Sequence, residues 1–264
     1  MLEIETLLRG AQELGINRFD TAPTYGDAEE FLGKFLDKSP NLQVSTKLGT
    51  ADTKSEKLIR ASVTNSLRKL QIDTIEILYL HDESILLQEN GEQVFSKLQK
   101  ILSDGLIKGI GVSIYTYDKL EANYGSFPGL SAYQVPENIC DRRLLRKELI
   151  QDIADQNISV TIRSVFLQGL LLMDSNELPV SLTECKPSVE SLKRLADLCG
   201  VSEIDLCLSY VKNIDWCSGI LVGVDTLAQL QKIVNSDAVL PENWKEFIVP
   251  VREDLVDPRN WHHD

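Results

Sequence analysis

Apolar positions along this chain alternate between two rhythms. Short strand-like runs lie at residues 18–21, 44–47, 75–81, 109–113, 132–135, 159–165 and 219–224. Between them, apolar residues return at intervals of three and four. Leu58, Ile59, Val63, Leu67 and Leu70 form one such stripe. Val94, Leu98, Ile101 and Leu102 form a second, ending at Gly105, and Leu144, Leu145, Leu149, Ile150 and Ile153 form a third. The runs predict strands buried on both faces and the stripes predict amphipathic helices, which together specify an α/β fold with a parallel sheet. The chain opens on a helix carrying Leu2, Ile4, Leu7, Leu8, Ala11 and Leu14, with Gly15 suited to its C-terminal cap. No linker or low-complexity stretch interrupts the alternation, so residues 1–264 are expected to form one domain.

Seven strands and 264 residues come close to a (β/α)8 TIM barrel of about 250 residues. A closed eight-stranded barrel needs one more strand, and the missing one would precede residue 1. The expectation is therefore a barrel lacking its first strand, with a true start about 10–25 residues upstream.

Composition narrows the function. A net charge of −13 argues against nucleic acid or an anionic membrane as partner. No apolar run reaches the roughly 18 residues needed to span a bilayer, and the N-terminus has no signal-peptide pattern. Five cysteines without a Cys-x-x-Cys pair predict neither a zinc site nor a disulfide framework, and they fit a reducing, cytoplasmic compartment.

Chemistry gathers where the first three strands end. Asp20 ends one run, with Tyr25 five residues on; Lys47 ends the second and His81 the third. Strand C-termini are where parallel barrels carry their sites. A carbonyl accepts hydride when its oxygen is stabilised as charge develops. A phenol can supply the proton, but its ordinary pKa is about 10, and a neighbouring ammonium favours the phenolate and lowers it. A carboxylate would hold that ammonium, and an imidazole would donate a hydrogen bond to the carbonyl oxygen. Tyr25, Lys47, Asp20 and His81 fill these four roles. Singly, each has a plainer explanation: a turn former, a half-buried ring, a solvated strand end, a satisfied histidine. Three successive strand ends make the combination the better reading. The other two histidines, His262 and His263, lie in the tail.

The motifs Asp20-Thr-Ala-Pro-Thr-Tyr-Gly-Asp-Ala-Glu, Ser45-Thr-Lys and Leu78-Tyr-Leu-His resemble the aldo-keto reductase family. So, in order, do Gly109-Ile-Gly-Val-Ser, Tyr133-Gln with Asn138, Arg163-Ser-Val-Phe-Leu-Gln-Gly-Leu-Leu and Gly219-Ile-Leu-Val-Gly-Val-Asp-Thr-Leu-Ala-Gln-Leu. The resemblance covers nearly the whole chain. It implies an N-terminally truncated TIM barrel that reduces an aldehyde or ketone, including sugar-derived ones, with NADP(H) or NAD(H) and without metal. It implies Tyr25 as general acid, Lys47 and Asp20 as its tuners and His81 as carbonyl orienter. Ser113 and Gln134 would hold the nicotinamide carboxamide, and Ser164 and Gln168 would face the pyrophosphate. Gly223, Asp225, Thr226 and Gln229 would meet the adenosine end. Two departures stand out: Ile114 replaces a frequent Asn, and 222–226 lacks a base for a 2′-phosphate, which leaves NADH and NADPH both open and tips the balance slightly toward NADH tolerance. Asp225 could instead cap the helix beginning near Thr226.

Two other classes compete. One is a cofactor-binding module without catalysis. The other is a Schiff-base aldolase on Lys47, which the spacing of Asp20 and Tyr25 disfavours. The segment 171–187 reads as the longest loop, a candidate cover for the site. The pattern leaves open the substrate, the oligomeric state and whether Trp261 reaches the pocket.

Overall fold

The computed structural model describes residues 2–141, 143 and 148–261. Two compact units divide the chain. The first holds residues 1–134, 155–159 and 224–231, the second 135–154, 160–223 and 232–264.

The first unit starts with α1 (Leu2–Glu13), ended by Gly15 in the left-handed region at φ 84°. Strands β1 (Arg18–Asp20), β2 (Gln43–Leu48), β3 (Leu78–Leu80), β4 (Ile110–Ser113) and β5 (Ala132–Pro136) follow. Each pairs in parallel with the next. The connections run through α2 (Ala28–Phe35), α3 (Glu56–Leu70), α4 (Gly91–Ser103) and α5 (Tyr117–Ser126). The α3 stripe behaves as its spacing predicts: Ile59, Val63, Leu67 and Leu70 are buried, and Leu58 alone faces solvent. One part of the core joins Leu32, Leu36, Val44 and Leu70 with Leu8 and Phe19. Helices α2 and α3 approach closely because Gly33 has no side chain; a Cβ there would stand 1.9 Å from the Lys69 carbonyl oxygen.

The second unit takes up the end of β5, where the Glu137 N–H donates to the Arg163 carbonyl at 3.1 Å. It contains most of α6 (Glu148–Asp155), with β6 (Ser159–Arg163) beginning at its border, then α7 (Lys186–Cys199), α8 (Glu203–Lys212) and β7 (Gly219–Ile220), and it includes the end of α9 (Leu227–Asn235). Strand β6 pairs in parallel with β7. Tyr210 donates to the buried Glu137 at 2.7 Å and packs edge-on against Trp244.

Seven parallel strands separated by helices make an α/β fold, the (β/α)8 pattern one strand short among the described residues. Three expectations need correction. Residues 75–81 contribute only a three-residue strand, preceded by an isolated bridge from Ile75 to Ile107. The last strand is two residues long, because only Thr161 and Ile162 lie opposite it in register. Residues 171–187 are no open loop: 3-10 turns at Leu170–Leu172 and Val180–Cys185 bury Leu182 and Cys185, and α7 starts at Lys186. Leu144, Leu145, His262 and His263 lie outside the described residues.

Candidate active site

Strand register puts the site side chains on one face. Asp20 lies opposite Ser45, Lys47 opposite Tyr79, Tyr79 opposite Gly111, and Ser113 opposite Gln134. Successive strand residues face opposite sides, so Asp20, Lys47, Tyr79, Ser113 and Gln134 share a face drawn from five consecutive strands. The face is packed at Tyr79: its ring fills the space a side chain at Gly111 would need, since a Cβ there would stand 2.6 Å from the ring. The opposite face turns to the helices, where Thr46 donates to the buried Glu29 of α2 at 2.8 Å.

At the centre the Lys47 ammonium is 4% exposed and pairs with Asp20, whose side chain is 9% exposed. It also donates to the Thr21 carbonyl at 3.0 Å. The second Asp20 oxygen accepts from Gln134 Nε2 at 2.5 Å. Lys47 Nζ lies 5.1 Å from the centroid of the Tyr25 ring. The His81 ring meets Tyr25 edge-on, 6.2 Å between centroids. The four residues read from the sequence as one constellation therefore come together.

Tyr25 reaches this position through a turn. Its N–H donates to the Ala22 carbonyl at 3.0 Å, its own carbonyl accepts from Ala28 at 3.2 Å, and Gly26 takes φ 58°. A residue with a side chain is strained at that φ, so glycine lets the chain turn directly into α2. The ring remains 50% exposed, accessible to a small molecule. Tyr133 offers a contrast. It sits on the other side of β5, its hydroxyl is buried without a partner, and burial, with Tyr124 adding to it, pushes its phenol up. A buried phenol without an ammonium beside it is the poorer acid.

Ser113 at the end of β4 and Gln134 in the middle of β5 are buried side by side. The loop after Ser113 is anchored by the buried Glu83, which accepts from the backbone N–H groups of Tyr115 at 2.6 Å and Thr116 at 3.0 Å. Ile114 is fully buried, so the position that departs from the family pattern serves the core.

In the second unit, Ser164 (φ 61°), Leu167 (φ 46°) and Gln168 (φ 57°) adopt left-handed backbone, followed by Gly169 at φ 86°. Such strain in residues with side chains concentrates at functional sites. Gly223 also belongs to this unit and is exposed. Trp261 turns onto its own tail, its indole N–H donating to the Leu255 carbonyl at 2.9 Å.

Back in the first unit, Thr226 caps α9. Its hydroxyl accepts from the Gln229 N–H at 3.2 Å, and the Gln229 carboxamide oxygen accepts from Asp225 N–H at 2.8 Å and Thr226 N–H at 3.3 Å. This is a reciprocal cap of the Thr-x-x-Gln kind. The cap is thus Thr226 rather than Asp225, and the exposed Asp225 lies beside a helix N-terminus.

Two contacts go beyond what the sequence suggests: the Gln134–Asp20 hydrogen bond and the Lys47–Thr21 contact. A glutamine inside the otherwise apolar run 132–135 is the available signal for the first. A backbone acceptor leaves no signal for the second.

The family model for the Aldo/keto reductase family matches residues 2–244. Among curated proteins, L-galactose dehydrogenase of Arabidopsis thaliana is 29% identical over 247 residues, covering 86% of this chain and 75% of that protein. The NADH-specific methylglyoxal reductase of Escherichia coli is 32% identical over 191 residues, covering 64% of this chain and 57% of that protein. Among solved structures, the holo form of an aldo-keto reductase from Bacillus halodurans superposes with a TM-score of 0.75 at 23% identity, covering 96% and 89% of the two chains. The glycerol dehydrogenase of Gluconobacter oxydans gives a TM-score of 0.72 at 22% identity, covering 97% and 85%. With its motifs in order along the chain and a family match spanning residues 2–244, this chain belongs to the aldo/keto reductase family.

Proposed function

We propose that this protein reduces a small aldehyde or ketone to an alcohol, using NADH or NADPH, with Tyr25 as the general acid. The observation that carries the reading is the Lys47 ammonium, paired with Asp20 and 5.1 Å from the centroid of the half-exposed Tyr25 ring. The ammonium favours the phenolate and so eases loss of the Tyr25 proton. Tyr25 passes its proton to the carbonyl oxygen as negative charge builds there, and His81 holds that oxygen by a hydrogen bond. Asp20 holds Lys47 in place through their ion pair.

The nicotinamide cofactor supplies the hydride. The chain has features suited to it. Gln134 Oε1 is buried with no hydrogen-bond partner, as an acceptor awaiting an amide N–H would be, and Ser113 lies beside it in register. In the second unit, left-handed backbone at Ser164, Leu167 and Gln168 suits a backbone-lined contact to a phosphate. In this reading Ser113 and Gln134 hold the carboxamide, and Ser164 and Gln168 meet the pyrophosphate. Gly223, Asp225, Thr226 and Gln229 take the adenosine end. Asp225 would repel a 2′-phosphate and accept from a ribose hydroxyl, a pattern that fits use of NADH. The activities that name the relatives, an L-galactose dehydrogenase and a methylglyoxal reductase, point to sugar-derived and short-chain carbonyls.

A panel of aldehydes, ketones and sugars run with both cofactors tests the reading. Turnover with at least one pair supports it. Tight cofactor binding with no turnover on any member would instead mark a binding module.

A further inference from the structure

One side chain near the acid does something the catalytic roles above leave unexplained. Gln134 lies in the middle of β5, is 2% exposed, and points its amide at Asp20 from a strand four places away. A carboxylate only accepts hydrogen bonds, so the contact at 2.5 Å fixes which end of the amide faces it: Nε2 donates to Asp20 Oδ2. The other Asp20 oxygen is taken by Lys47. Both oxygens of a nearly buried carboxylate are thus satisfied by two different donors. Gln134 is left with Oε1 buried and unpartnered.

We infer that Gln134 is a positioning residue for the acid: its Nε2 holds the Asp20 carboxylate so that Asp20 in turn holds Lys47 beside Tyr25. The inference rests on the proposed role of Tyr25. Three physical points support it. A carboxylate held at one oxygen only can rotate about its last bond, and with it the ammonium it anchors. Lys47 also donates to the Thr21 carbonyl, which helps fix its position but supplies no full charge. A buried carboxylate oxygen without a donor is costly, so removing the amide loosens the pair rather than leaving it unchanged. Because the flip of the amide is fixed by Asp20, Oε1 is presented as an acceptor. One amide can thereby serve the carboxylate through its nitrogen and a cofactor N–H through its oxygen, which ties cofactor seating to the setting of the acid.

The test follows ionisation of Tyr25 in the cofactor-free chain of residues 1–264 by ultraviolet difference absorbance. Each protein is read against its own Tyr25→Phe counterpart as pH rises. Gln134→Met keeps the length of the side chain and removes the donor. It should lower the Tyr25 ionisation constant about tenfold, a displacement of one pH unit toward alkali. The same substitution in an Asp20→Asn background should add no further displacement. In turnover, Gln134→Met should lower kcat as well as raise the cofactor KM.

Gln134→Glu provides a second variant if Gln134→Met does not fold. It places an acceptor where the donor stood and should displace the titration in the same direction. Combining it with Asp20→Asn exchanges donor and acceptor across the contact and should bring the titration back toward that of the unmodified chain. A Tyr25 titration unmoved by Gln134→Met or Gln134→Glu would overturn the inference, as would an equal displacement with and without Asp20→Asn. Loss of cofactor affinity alone, with Tyr25 unmoved, would mean that Gln134 serves the cofactor and not the acid. The titration needs no substrate, so absence of carbonyl turnover would count against the proposed activity without touching this coupling.

Discussion

The strand ends of the first unit and the segments after β6 in the second unit are built by different means. In the first unit, the proposed chemistry rests on side chains of regular strands. Asp20, Lys47, Ser113 and Gln134 share one face because period-two alternation and parallel register put them there. In the second unit, the segment after β6 is marked by its backbone instead: Ser164, Leu167 and Gln168 in left-handed conformation and a glycine after them. The difference teaches where precision comes from. Interlocked ion pairs and hydrogen bonds set the position of an acid. A bent backbone presents N–H groups whatever the side chains are.

The comparison breaks most visibly at Lys47. Removing one member of a buried ion pair leaves the other uncompensated, and Lys47→Met should cost about 3–5 kcal/mol of stability. Denaturant unfolding followed by circular dichroism checks this. A loss below about 1 kcal/mol, the scale of an exposed pair, would mean the pair is held less tightly than its burial indicates.

The β6 end should respond in the opposite sense. Gln168 is exposed and left-handed, so Gln168→Gly should relieve strain and stabilise the chain by roughly 1 kcal/mol. Cofactor affinity should change little, because the backbone N–H groups stay in place. Thermal unfolding and cofactor titration on one preparation measure both. A destabilised variant would show that the left-handed conformation costs nothing there.

How much of this is legible in the sequence follows the same division. The face bearing Asp20, Lys47 and His81 can be read because an ionisable residue ending an apolar run breaks its pattern. The helix over residues 56–70 can be read because its stripe is regular. Helices α7 and α8 are harder to see, as is the packing of 171–187, because Leu182 and Cys185 bury themselves from 3-10 turns that have no helical period. The left-handed run at 164–168 also leaves no trace, since its strained positions are occupied by Ser, Leu and Gln rather than glycine. The cap of α9 lies one residue beyond Asp225, the residue whose type suggests it. The Thr226-x-x-Gln229 pair that forms it is itself a sequence signature.

Asp225 gives a further, smaller test at the edge of the first unit. Asp225→Arg should raise kcat/KM for NADPH relative to NADH about tenfold by meeting the 2′-phosphate, a gain on the scale of one charge-assisted contact. An unmodified chain that already prefers NADPH more than a hundredfold would show that another base reads the phosphate.

An effect of similar size to that at Gln168 is expected far from either site. At the start of α8, Ser202 and Asp205 form a reciprocal cap, and the hydrogen bond from the Ser202 hydroxyl holds the Asp205 carboxyl below its ordinary value. A depressed carboxyl stabilises the fold above its unfolded pKa of about 3.9, and that contribution fades as pH falls through the lower folded value. Asp205→Asn should therefore cost about 1 kcal/mol near pH 7 and progressively less in acid. Melting temperatures of the pair of proteins across pH 3 to 7, a span of about four units around that value, check the sign.

The central claim is that Tyr25 gives up the proton. Tyr25→Phe keeps the ring that Lys47 and His81 pack against and removes the hydroxyl alone. Single-turnover rates with a carbonyl from the panel and saturating cofactor should fall at least about 100-fold, with cofactor affinity nearly unchanged. A Tyr25→Phe chain that turns over at close to the native rate would contradict the account and hand the proton to another group.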